Sequence, residues 1–169
     1  MHSDRKTALI TGSGQNIGRG IASQLAQAGF NIIVNGSSNR DAAEAVAAET
    51  RNHGVEALVA MGNVGIKAEA EAVAKAGIDH FGRIDVLVNN AAIRPHGPFL
   101  DVSEDDWQKV MDVDLNAAIW LSRMILPGML LGTAVGYALL PFLDAALAKR
   151  LFGALVLWFA ARELWRLRH

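Results

Sequence analysis

Eight consecutive residues, Thr11-Gly12-Ser13-Gly14-Gln15-Asn16-Ile17-Gly18, separate a short apolar run from a stretch with helical periodicity. Small residues at such a junction let the main chain come close to a flat or phosphorylated ligand. Gly12 can turn the chain and residues 14–16 can swing clear. A helix opening near Ile17 then points unpaired N–H groups and a partial positive charge at a pyrophosphate. The chemistry implied is an anion cradle made of backbone. Three more small-residue segments follow later apolar runs: Gly36 to Arg40, Gly62 to Gly65 and Asn89 to Ile93. Two common phosphate patterns fail on the first segment. A Gly-x-Gly-x-x-Gly spacing needs glycine at position 17 and finds Ile17, and the Gly-Lys pair of a Walker loop is missing.

Four such segments need a scaffold that gathers them at one edge. Thr7 to Ile10 reads as a first strand, and Ile17, Ile21, Ala22, Leu25 and Ala28 recur at helical spacing. Asn31 to Asn35 predicts a second strand and Asn39 to Asn52 a second helix. Ser38 and Asp41 have the spacing of a capping box there, and Gly54 closes the helix. Val55 to Met61 predicts a third strand, Lys67 to His80 a third helix and Ile84 to Val88 a fourth strand. This alternation implies parallel strands joined by right-handed crossovers, an α/β doubly wound sheet rather than a β sandwich. Ligands of such sheets lie beyond the carboxyl ends of the strands where the strand order reverses, which is where the four segments fall.

Composition narrows the classes further. A chain of 169 residues is about one domain's worth. With 51% apolar residues, 20% charged residues and a net charge of −1, it is neither a disordered polyelectrolyte nor a nucleic-acid binder by bulk charge. The absence of Cys excludes a disulfide scaffold, a thiolate metal site and a Cys nucleophile, and the five scattered His form no metal signature. Charge is divided unevenly. Residues 1–123 carry 11 Lys and Arg against 15 Asp and Glu, net −4, and residues 124–169 carry 5 against 2, net +3. A secretory signal is not expected from MHSDRKTALITGSG, so cytoplasmic synthesis is the expected default.

The segment TGSGQNIG, residues 11–18, resembles the TGxxxGIG loop of the short-chain dehydrogenase/reductase family, with Asn16 at the middle glycine. Asn tolerates positive φ better than most residues, which makes this departure mild. Asn89-Asn90-Ala91-Ala92 resembles the family's NNAG segment, with Ala92 in place of glycine. Asn63-Val64 stands where the family has Asp-Val against the adenine, and Trp107 to Met129 resembles its helix four to helix five stretch. The resemblance implies a Rossmann-like fold, NAD(P) binding and hydride transfer between a nicotinamide and an alcohol or carbonyl carbon. The cofactor-binding residues it implies are Thr11, Gly12, Ser13, Asn16, Ile17, Gly18, Ser37, Arg40, Asn63, Val64, Asn90, Ala91 and Ala92. NADP is favoured over NAD, because Gly36 to Asn39 offer no acid for a ribose hydroxyl and Arg40 offers a charge suited to a 2′-phosphate.

Reduction in this family needs a Tyr acid, a Lys that lowers its pKa and a Ser that holds the carbonyl. The sequence has one tyrosine, Tyr137, with Pro141 rather than Lys four residues on, and Asp114 replaces the Asn of the family's proton relay. No catalytic residue is therefore assigned, and Asp114 reads as an ordinary helix carboxylate. The expected architecture is an incomplete doubly wound, Rossmann-like half domain over residues 1–126, followed by a hydrophobic helical tail over 127–169. Loss of the second half of the sheet would leave an open edge on strand four that invites self-association.

The tail contains twenty uncharged residues, Met124 to Leu143, and a second apolar run, Leu151 to Ala161. It resembles the last two membrane helices of the sulfite-exporter transporter family. A transmembrane hairpin and an amphipathic helix packed on the open sheet are both compatible with it. Three readings follow: a cradle that has lost its chemistry, a membrane-associated nucleotide-binding or interaction module whose tail does the work, and an assembly in which partner chains complete the sheet. The first accounts for most of the residues. A dinucleotide is the expected partner, nucleic acid is not, and membrane contact or self-association would run through the tail or the sheet edge.

Overall fold

A computed structural model of the chain describes residues 5–95 and 97–125. These residues belong to one compact unit within residues 1–126. The expected tail domain, its hairpin and Tyr137 lie outside the described residues. Among those described, no helix is long and apolar enough to cross a membrane.

Four strands, β1 (Thr7–Ile10), β2 (Asn31–Gly36), β3 (Ala57–Met61) and β4 (Val86–Val88), form one parallel sheet in the order β3-β2-β1-β4. Helices α1 (Asn16–Gln27), α2 (Arg40–Arg51) and α3 (Lys67–Phe81) make the crossovers, and α4 (Glu104–Met111) and α5 (Ala117–Ile125) follow β4. The expected α/β parallel sheet is therefore present. Side-chain alternation explains why both faces are covered. Ala8, Ile10, Ile32 and Val34 are buried in one cluster with Ala22, Ala26, Ala43 and Val46, which are positions of α1 and α2. Leu9 and Ile33 turn the other way, into a cluster with Ala70, Val73, Ala74, Ala117 and Leu121 of α3 and α5. A strand with helices on both faces reads as a continuous apolar run, which is what Thr7–Ile10 and Ile32–Val34 show.

Several boundaries shift by a residue, β2 ending at Gly36 and α3 at Phe81 among them, and three differ from expectation for local reasons. The N-cap of α2 is Asn39, whose side chain accepts the Ala42 N–H at 3.0 Å, so Ser38 stands one residue before the cap. Strand β3 starts at Ala57 rather than Val55, because the Glu56 N–H is taken by the Asn31 side chain at 3.1 Å, which ends the ladder. Strand β4 starts at Val86 rather than Ile84, and Ile84 packs into the α3 side of the core.

Below β4, the Asp85 carboxylate accepts the Thr7 N–H at 2.8 Å and the Arg83 Nε at 2.9 Å, tying the lower ends of β1 and β4 together. Burial alone would raise its pKa, but the Arg83 guanidinium and the Thr7 N–H together hold it below the usual carboxylate value. A depressed folded pKa stabilises the fold above the unfolded pKa of about 4 and loses that contribution as the pH falls through the folded value. The expected result is that chemical-denaturation stability declines below pH 4 in the natural sequence, and that Asp85→Asn removes part of that decline while lowering stability at neutral pH.

Candidate functional site

The strand order reverses between β1 and β4. The chain steps outward from β1 to β2 and β3, then returns to the other side of β1. Beyond the carboxyl ends at this point lies a cavity of about 430 Å³. Its floor is the turn leaving β1. Gly12 has φ +61°, and Asn16 has φ +50°, the one positive φ outside glycine among the described residues. An L-residue with a short polar side chain is the best non-glycine choice for that conformation. In the first turn of α1, the N–H groups of Asn16, Ile17 and Gly18 find no acceptor among the described residues, as expected at a helix start. Ile17 is 75% exposed, lying over the cavity mouth.

The turn is clamped from two neighbouring strands. Asn35, at the end of β2, accepts the Gly12 N–H at 3.1 Å and donates to the carbonyls of Ala60 and Gly62 at 3.0 and 3.1 Å. Ser13 is buried, donating to the Ile10 carbonyl at 2.8 Å and accepting the Asn35 N–H at 3.1 Å. On the β4 side, Thr11 Oγ1 accepts the N–H groups of Asn90 and Ala91, both at 2.9 Å. The Asn90 side chain donates to the Thr11 carbonyl at 2.9 Å and the Gly12 carbonyl at 3.2 Å. Gly18 makes the crossing possible. A Cβ there would stand 2.7 Å from the Gly12 oxygen and 2.6 Å from Asn90 Nδ2.

Of the residues expected from sequence, Gly12, Asn16, Ile17 and Gly18 line the cavity from the first turn. Ser37, Asn63 and Val64 line it from the ends of β2 and β3, and Asn90, Ala91 and Ala92 from the end of β4. Thr11 and Ser13 do not line it. They are 2% and 0% exposed and hold the turn from below. Arg40 does not line it either, since its guanidinium lies along α2, 3.7 Å from Glu44. A second hollow of about 120 Å³ opens between Gly14 and the segment Gly36 to Asn39, at the start of α2. Gln15, Gly62 and Ile93, which fall inside three of the expected segments, also line the main cavity, and so do Asn35 and Val113, which fall outside them. Asn35 left a trace, as a polar residue closing an apolar strand run. Val113 left none, because it arrives through a π-helical segment, Asp112–Asn116, between α4 and α5. Gly65 leaves room for it, as a Cβ there would meet Val113 Cγ2 at 2.6 Å.

A parallel sheet with a glycine-bearing turn and a free helix start at its switch point defines an α/β protein of the nucleotide-binding type. The family described as short chain dehydrogenase matches residues 6–137. The chain belongs to the short-chain dehydrogenase/reductase family. It is 38% identical over 125 residues to 3-oxoacyl-acyl-carrier-protein reductase FabG of Staphylococcus epidermidis, covering 74% of this chain and 51% of that protein. It is also 38% identical over 119 residues to the uncharacterized oxidoreductase YohF of Escherichia coli, covering 70% and 47%. A doubly substituted short-chain dehydrogenase/reductase of Serratia marcescens superposes with a TM-score of 0.67 at 27% identity, covering 70% of this chain and 49% of that one. The chain thus spans about half the length of the curated relatives it matches.

Proposed function

We propose that the described unit binds a nicotinamide dinucleotide in the switch-point cavity, and that these 169 residues do not reduce a carbonyl on their own. The observation that carries the binding reading is the crossing of the first turn under the β4 segment. Gly18, Gly12 and Asn90 meet so closely that the main chain itself forms the cradle wall, with the N–H groups of Asn16 to Gly18 left for an anion. A cavity of about 430 Å³ extends from this point toward both β2 and β4, as a two-ended ligand requires. When bound, the nicotinamide supplies or accepts the hydride. The chain's own residues grip the diphosphate and orient the two ends. Thr11 and Ser13 act beneath the cavity as supports, and Ser37, Asn63 and Val64 flank the adenosine end.

The reading of lost chemistry rests on the sequence: Tyr137 is followed four residues later by Pro141, and no other tyrosine is present. NADP is the preferred cofactor in this proposal. The segment after β2 carries no acid up to Asn39, and Arg40 opens α2 beside the smaller hollow. The Arg40 to Glu44 contact is an exposed ion pair of small net energy, so a 2′-phosphate can draw the guanidinium away. Fluorescence titration of the full chain with NADPH and NADH tests both points. NADPH is expected to bind more tightly, and Arg40→Ala to reduce that preference by roughly ten-fold, a bidentate charge-assisted contact's worth. An unchanged ratio would remove the NADP preference, and carbonyl reduction by the purified chain would remove the claim of lost chemistry.

A further inference from the structure

Beside the β4 end of the cavity stands an exposed carboxylate, Asp114, which does not itself line it and which dinucleotide binding does not require. Asp114 Oδ1 accepts the N–H of Ile93 at 3.1 Å, and Ile93 lines the cavity. The carboxylate is exposed and meets the cavity wall through this one peptide N–H. No ion pair to Asp114 is formed among the described residues. Lys109, on the preceding helix, is engaged by Asp106 at 3.0 Å, and Arg94, next to Ile93, is exposed without pairing to Asp114. A second carboxylate adds to the same sign. Asp112 lines an adjoining hollow that Lys109 also lines, and takes neutral donors, Gln108 at 3.0 Å and Asn116 at 2.7 Å.

In sheets of this order the adenosine ribose lies against the end of the second strand, which leaves the nicotinamide for the β4 end. That ring is cationic when oxidised and neutral when reduced. We propose, resting on the dinucleotide reading above, that Asp114 biases the cavity toward the oxidised form of the cofactor. The carboxylate attracts the pyridinium and gains nothing from the dihydropyridine. An exposed charge beside a partly open site acts on a ligand charge through solvent screening, with a strength of roughly a few-fold in affinity at low salt. Asn at this position would accept the same Ile93 N–H with an oxygen and carry no charge, so Asp114→Asn separates charge from shape.

The test measures the dissociation constants of NADP+ and NADPH on the full chain and on Asp114→Asn by calorimetry at low salt, with folding checked by circular dichroism. The ratio of oxidised to reduced affinity is expected to fall roughly five-fold in the variant, almost wholly through weaker NADP+ binding. In the unsubstituted chain the same ratio is expected to shrink in 1 M salt, where screening acts within about 3 Å, and this arm stands even if the variant fails to fold. Equal ratios in chain and variant, or a ratio insensitive to salt, would overturn the proposal while leaving the cradle in place. Failure of both nucleotides to bind would overturn the cradle and this inference together.

Discussion

Gly18→Ala is expected to abolish measurable dinucleotide binding at micromolar concentrations and to lower stability by about 2–3 kcal/mol. The reason is the geometry of the crossing. A methyl at position 18 would lie 2.7 Å from the Gly12 carbonyl oxygen, 2.7 Å from the Ser13 Cα and 2.6 Å from Asn90 Nδ2. Two of those three atoms are backbone and cannot rotate aside. Relief requires the first turn and the start of α1 to separate, which widens the space that would hold the diphosphate. It also draws Asn90 off the Thr11 and Gly12 carbonyls that it caps at 2.9 and 3.2 Å. Binding calorimetry together with a denaturant titration checks both effects. A variant that binds within about three-fold of the natural sequence would show that the close crossing is not what forms the cradle. Gly20 serves as the control, because a Cβ there meets nothing within 4 Å.

The second large effect is expected at Thr11, which never reaches the cavity. Its hydroxyl oxygen is the common acceptor for the Asn90 and Ala91 N–H groups, and its side chain is almost wholly buried. Thr11→Val keeps the shape and removes the acceptor, leaving two donors at the β4 end without a partner. Each orphaned donor costs about 1–3 kcal/mol, so a loss near 3 kcal/mol and a fall in Tm of about 10 °C are expected. Thr11→Ser restores the oxygen and should recover most of the loss. If the Val variant melted with the natural sequence while the Ser variant fell, the methyl rather than the acceptor would matter, and the β1–β4 junction would not rest on the shared hydroxyl.

The parts of the fold legible in sequence were those governed by burial on both faces. Thr7–Ile10 appears with its expected bounds because nothing polar interrupts the run until the turn, and β2 differs only by extending to Gly36. Ends set by a side-chain hydrogen bond were less legible. Asn39 and Ser38 are equally good caps by residue type, and only the position of Asn39 Oδ1 against the Ala42 N–H decides between them. Asn31 likewise ends β3 from a neighbouring strand, a long-range effect that no local pattern carries. In the site, the glycine loop pointed to the cavity floor, whereas Thr11 and Ser13 proved to be supports beneath it. Asn35 is the main omission. Its three hydrogen bonds join the first turn to the ends of β2 and β3, yet in sequence it is one polar residue after Val34. The π-helical segment that brings Val113 to the wall and Asp114 to Ile93 has no signature of its own, since its apolar residues continue the helical spacing of α4.

Calorimetric titration of the full chain, verified as folded by circular dichroism, with NADPH and NADH tests the dinucleotide cradle most directly. Saturable one-site heat with NADPH, lost in Gly18→Ala and retained in Gly20→Ala, is the expected result. No heat with either nucleotide on folded material would contradict it.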